Sequence, residues 1–138
     1  MGPVCQVDRS VFELVEVADA EDVTWVRAVA DLDRLSAPKG YAQLLTVWRS
    51  GPLNGRLGVE LDSGCFIDVR GLRMLLEFTR EVRSRGGTVV LVSSSRTVAR
   101  ALAILDPDGR LSFSRSVADA QQEAGGARGQ SSAAEALT

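Results

Sequence analysis

An aspartate and an arginine stand where Phe66-Ile67-Asp68-Val69-Arg70-Gly71 closes an apolar strand and opens an amphipathic helix. An aspartate at such a boundary caps the helix, and the backbone N–H groups that follow face outward for recognition. Asp62 and Asp68 are near in sequence, but spacing alone assigns no acid and base. The chain has no histidine. That removes the usual general base, the Ser-His-Asp arrangement and histidine-based metal sites together. Cys5 and Cys65 are too few for a zinc site and too far apart for a CxxC motif, and a disulfide between them is disfavoured in a reducing compartment. Cys65 reads as a small residue at a strand end or as a redox-sensitive thiol. Ser93-Ser94-Ser95 precedes a helix but lacks the glycines and lysine of a P-loop, so capping is its stronger reading over nucleotide binding. No nucleophile–base pair emerges. The expectation is a non-enzyme without metal or cofactor.

The whole chain sets the bounds. Its 138 residues suit one domain with its own core. With 45% hydrophobic and 25% charged residues it has the balance of a soluble globular protein. A net charge of −2 and a pI of 5.2 argue against a nucleic-acid partner. No stretch approaches the roughly 20 apolar residues of a membrane span, and Met1 to Ser10 lacks an apolar signal core. A cytoplasmic location without membrane insertion follows as the expectation. Of the 16 basic residues only Lys39 is lysine.

The elements that must position the turn follow from periodicity. Residues 11–17 and 23–29 are β-branched and apolar, separated by a polar turn, and predict a hairpin. Tyr41, Leu44, Leu45 and Trp48 share one helical face, with Ser36 as N-cap and Pro38 in the first turn. Residues 50–55 end that helix, and 57–61 predict a strand. A second helix spans about 69–85, with Leu72, Leu75, Leu76, Thr79 and Val82 on its buried stripe and Gly86-Gly87 as its stop. Residues 88–92 are a continuous apolar run, as for a strand covered on both faces. A third helix carries Val98, Ala101, Leu102 and Leu105, followed by a turn at 106–109. Residues 111–113 read as a short edge strand and 116–123 as a last helix. From 125 onward no periodicity remains, which predicts a disordered tail. The expected architecture is an α/β domain over 11–124: a mixed sheet of four to five strands, an N-terminal hairpin and about four helices, with an arm at 1–10.

The pattern then resembles a family. Val29-Ala30-Asp31-Leu32-Asp33 with Ser36-Ala37-Pro38 is similar to the "GELD…TAP" segment of STAS domains, the sulfate transporter and anti-sigma factor antagonist domains. Val59 to Gly71 resembles that family's "VDLSGVTFIDSSG" without a gap, and Gly86 to Val92 resembles the next strand. The likeness implies a regulatory module. In the bacterial antagonist group such a domain binds an anti-sigma factor, often a serine kinase, and so frees a sigma factor for transcription. Phosphorylation of a serine at the start of the second helix ends the binding. A phosphate adds about −1.5 to −2 charges to an interface yet suits a helix N-terminus, so it breaks the contact without unfolding the domain.

At that position this chain carries Asp68-Val69-Arg70-Gly71 in place of the family's "DSSG". Arg70 takes the place of the hydroxyl acceptor and Val69 that of its neighbour; neither accepts phosphate. Arg70 either reaches into solvent or meets an acidic partner, with pairing to Asp68 or Asp62 a further option. Asp68 and Asp33 read as helix caps that also border the contact surface, and Ser36 as a cap. Met74 and Phe78 belong either to a wide buried face or to an apolar binding edge beside Arg70 and Arg73. Arg73, Arg80, Arg83 and Arg85 alternate with Glu77 and Glu81 as on a solvated face. The expected partner-binding set is Asp33, Ser36, Asp68, Val69, Arg70, Gly71, Arg73 and Met74. The expected role is an anti-sigma factor antagonist-like protein binder with no phosphorylation at the usual site. The alternatives are a small-ligand or nucleotide sensor on the same fold and a STAS subunit of a lipid or anion transport system.

Overall fold

The computed structural model describes residues 10–15, 23–51, 55–61, 64–109 and 111–121. Its elements run β1 (Phe12–Val15), β2 (Val23–Ala28), α1 (Ala37–Ser50), β3 (Arg56–Glu60), α2 (Val69–Ser84), β4 (Thr88–Val92), α3 (Arg96–Leu105) and β5 (Ser112–Ser114). A short helix, α4, follows over 117–121. The strands form one sheet in the order β1-β2-β3-β4-β5. β1 and β2 pair antiparallel, Phe12 opposite Ala28, and every later pair is parallel. Each parallel strand therefore follows its neighbour through one helix, the βαβ connection that parallel pairing requires. The mixed α/β sheet and its opening hairpin agree with the sequence expectation.

Alternation along the strands builds two apolar layers. Val26, Ala28, Leu57, Val59, Val89 and Leu91 point to one face, where Leu44 of α1, Leu72, Leu75, Phe78 and Val82 of α2, and Val98 and Leu102 of α3 cover them in one continuous core. Trp25 and Val92 point to the other face, where Val23 and Val90 join them under Val117 and Ala120 of α4. The expected two-sided burial of β4 is seen. Gln43 of α1 fastens the edge strand: its Oε1 accepts from the N–H groups of Val11 and Phe12 at 2.8 and 3.0 Å.

The buried face of α2 is wider than its leucine stripe suggested. Met74 and Phe78 are fully in the core, whereas Leu76 is only half-buried. The buried Thr79 hydroxyl donates to Leu75 O at 2.8 Å, which satisfies the single polar group on that face. Just past the C-cap Arg85, Gly86 has a φ of 89°, which suits a residue without a side chain. The predicted arm at 1–10, except Ser10, the ends of the hairpin at 16–17, residues 122–123 of the last helix and the tail from 125 lie outside the described residues.

Candidate functional site

Two turns meet at the carboxyl end of the parallel strands. The first, residues 29–36, leaves β2 for α1; the second, around Phe66 to Asp68, leaves β3 for α2. Leu32 and Ile67 join them as an isolated parallel bridge. Leu32 N–H donates to Phe66 O at 2.8 Å and Asp68 N–H donates to Leu32 O at 3.0 Å. The Asp31 carboxylate accepts from Phe66 N–H at 2.8 Å. The two turns are thus one hydrogen-bonded unit.

Within that unit four of the eight expected site residues serve the backbone. Asp68 is the N-cap of α2, its Oδ1 accepting from Gly71 N–H at 2.9 Å. Such a cap is worth about 0.5–2 kcal/mol. Asp33 Oδ1 accepts from the N–H groups of Leu35 and Ser36 at 2.9 and 3.0 Å. Ser36 does not cap α1 as expected. It holds the N-cap position with helical backbone, but its hydroxyl turns back, donating to Asp31 O at 2.6 Å and accepting from Asp33 N–H at 3.1 Å. The Asp33 carboxylate already takes the Leu35 and Ser36 N–H groups, so the serine closes the turn instead. Gly71 is buried, and a Cβ there would lie 2.5 Å from Leu32 O, which explains why the turns approach so closely.

The outward groups are of another kind. Val69 and Arg70 are exposed at the start of α2, and Arg73 is exposed one turn further. The Arg70 side chain forms no ion pair or hydrogen bond among the described residues, Asp68 included; Asp62 lies outside them. Its guanidinium is free to meet something else. Phe66 and Leu35, 62% and 81% exposed, stand on the two linked turns, so the surface is apolar as well as cationic. Beside it, α1 and α2 flank a groove of about 810 Å³. Arg34, Arg70 and Arg73 line it together with Tyr41 and Met74. Met74, 5% exposed, therefore lies at the bottom of a groove and not along an open edge. Cys65 lies apart from the groove, partly buried, with its Sγ 3.7 Å from Ala28 O. Among the described residues no cluster of acidic or cysteine side chains is arranged to hold a metal ion, and no helix is long and apolar enough to cross a membrane.

The family model of the STAS domain matches residues 15–120. The chain belongs to the STAS domain family. No curated protein matches it significantly by sequence. Solved structures agree on the fold. An anti-sigma factor antagonist from Mycobacterium paratuberculosis superposes with a TM-score of 0.65 at 19% identity, covering 81% of this chain and 92% of that one. The anti-sigma factor antagonist SpoIIAA in its unphosphorylated form gives 0.60 at 20% identity, over 83% of this chain and 96% of its own. The Bacillus cell fate determinant SpoIIAA in its phosphorylated form gives 0.59 at 18%, over 82% and 98%.

Several surface residues of this STAS domain escaped sequence reasoning. Arg34, Leu35 and Tyr41 face the same groove or turn unit as Arg70 only because the Leu32–Ile67 bridge brings distant segments together. The one available signal was Phe66, a large apolar residue placed just ahead of a helix cap.

Proposed function

We propose that this STAS domain is a non-enzymatic, cytoplasmic regulator that binds an anti-sigma factor through the strand-to-helix turn and so modulates sigma-factor-dependent transcription. The observation that carries the reading is the exposed Val69–Arg70 pair at a rigidly capped helix start, beside the exposed Leu35 and Phe66. Val69, Arg70 and Arg73 supply the contact surface, with Met74 on the floor of the adjoining groove. Asp33, Ser36, Asp68 and Gly71 hold the two turns in the shape that presents it. The binding is independent of phosphorylation at the usual position, because Val69 and Arg70 stand where the family pattern has hydroxyl residues. A cation there is also the electrostatic opposite of a phosphoserine, so the turn does not imitate a switched-off state.

The test is a binding titration of the purified protein against anti-sigma factors of its own genome, with and without ATP. The expected outcome is a complex with at least one of them, weakened by Arg70→Asp, with no phosphate incorporated. Absence of any complex would remove the regulatory reading. Stoichiometric phosphate transfer to this chain would remove its phosphorylation-independent part.

A further inference from the structure

The groove between α1 and α2 carries a charge that the fold itself does not neutralise. Arg34, Arg70 and Arg73 converge on it from the first turn, the start of α2 and the next turn of that helix. None of the three side chains makes an ion pair or hydrogen bond among the described residues. Elsewhere the molecule does pair arginines, Arg27 with Glu60 at 3.2 Å and Arg85 with Glu81 at 2.6 Å. The whole chain is slightly acidic, so this concentration of positive charge is local. Between the guanidiniums the lining is apolar: the half-buried Tyr41 ring, held edge-on against Phe78 at 5.9 Å, and Met74. Glu77 lines the groove as well, one helical turn beyond Arg73.

Resting on the regulatory reading above, we propose that the groove receives an acidic segment of the partner protein, with carboxylates on Arg34, Arg70 and Arg73 and an apolar side chain over Tyr41 and Met74. Guanidinium and carboxylate match in a forked, two-point geometry, and arginine is weakly hydrated enough to give up water in an interface. An arginine flanked by apolar and aromatic surface is the composition of an interface core. Other occupants fit less well. A nucleic-acid backbone would meet Glu77 and a protein of acidic pI. Three arginines fall short of the basic clusters of about 4–8 residues that read anionic membranes.

The test uses the full-length protein and a fluorescein-labelled amphipathic peptide of glutamate and leucine, followed by fluorescence anisotropy. A matched peptide with glutamine for glutamate is the control. Wild type binds the acidic peptide saturably and the glutamine peptide at least about tenfold more weakly. Arg70→Glu and Arg73→Glu each weaken the acidic peptide by about tenfold or more, whereas Arg80→Glu, on the same helix outside the groove, changes it by less than about twofold. Circular dichroism of each variant confirms an unchanged fold. The proposal is overturned by equal binding of the two peptides, by an Arg80→Glu loss as large as that of Arg70→Glu, or by no saturable binding. Stronger binding of a phosphoserine peptide or of phosphatidylserine vesicles overturns it too, as does sedimentation showing that a second copy fills the groove. An anti-sigma factor that binds wild type and Arg70→Glu alike refutes this proposal and leaves the regulatory reading standing. Peptide binding without any anti-sigma factor binding does the reverse.

Discussion

Gly71 and Arg70 are neighbours with opposite duties. Gly71 exists for the fold: its missing side chain lets α2 begin against the Leu32 backbone, where a Cβ would lie 2.5 Å from the carbonyl oxygen and 2.7 Å from Leu32 Cβ. Backbone cannot step aside as a flexible side chain does. Gly71→Ala is therefore expected to lower stability by about 1–3 kcal/mol, the cost of overpacking, as read from the urea midpoint. An unchanged midpoint would mean the two turns are not locked together. Arg70 does nothing comparable for stability. A cation in the first turn opposes the helix dipole at a cost of about 0.3–1 kcal/mol. Arg70→Ser is accordingly expected to leave stability unchanged or raise it by up to about 1 kcal/mol in the same measurement. A clear loss would show that Arg70 supports the fold and would weaken its assignment to the surface. The contrast was half legible in the sequence. Asp68 announced the cap as a local property of a strand-to-helix boundary, and the resemblance to the STAS pattern marked Arg70 as the missing hydroxyl. The role of Gly71 was not legible, because the atom it must avoid belongs to Leu32, in a different turn. Ser36 shows the same limit, since a hydroxyl ahead of a helix looks like a cap until Asp33 and Asp31 compete for its bonds.

At the scale of elements, β3 has two unlike faces. Leu57 and Val59 fill the core beneath the helices, while Gly58 between them leaves room on the other face for the Trp25 ring. A Cβ at Gly58 would fall 2.4–2.6 Å from three carbons of that ring. The ring is 4% exposed and packed under α4, so it has little space to retreat. Gly58→Ala is expected to cost about 1–3 kcal/mol. It should also shift tryptophan emission to longer wavelength as Trp25 is pushed toward water. Combining it with Trp25→Leu is expected to recover part of the loss, because the two changes share one contact and are not additive. Strictly additive losses would mean that the ring does not rest on Gly58. Period-two and 3.6-residue patterns found the elements that bury one clear face, and a continuous apolar run found β4, which is covered on both faces. They were not enough to set the width of the α2 face: Met74 and Phe78 sit on its flank by spacing and are buried because α1 packs beside them. The short α4 was visible only as polarity with a few apolar positions, and its partner, Trp25, is remote in sequence.

At the scale of the whole molecule, one sheet divides two apolar layers of unequal size, and each layer holds one of the two tryptophans. Trp48 of α1 packs against the large core under the helices, whereas Trp25 belongs to the small cluster under α4. The small layer cannot stand alone. Its residues alternate along β2 and β4 with those of the large core, so Trp25 and Val26, or Leu91 and Val92, are fixed by the same backbone. The parallel ladder also ties β3 to both neighbours. Loss of the large core therefore removes the strands that hold the small one, and the exposed turn surface around Arg70 sits on turns that leave those same strands. The two layers are expected to unfold in a single cooperative transition, as small domains usually do. Trp25→Phe and Trp48→Phe each leave one native fluorophore, reporting one face of the sheet apiece. Within each variant, urea curves followed by fluorescence and by far-ultraviolet circular dichroism should coincide in midpoint and steepness. A Trp25 signal lost at lower urea than the circular dichroism would show that the α4 face opens first, while most of the secondary structure persists.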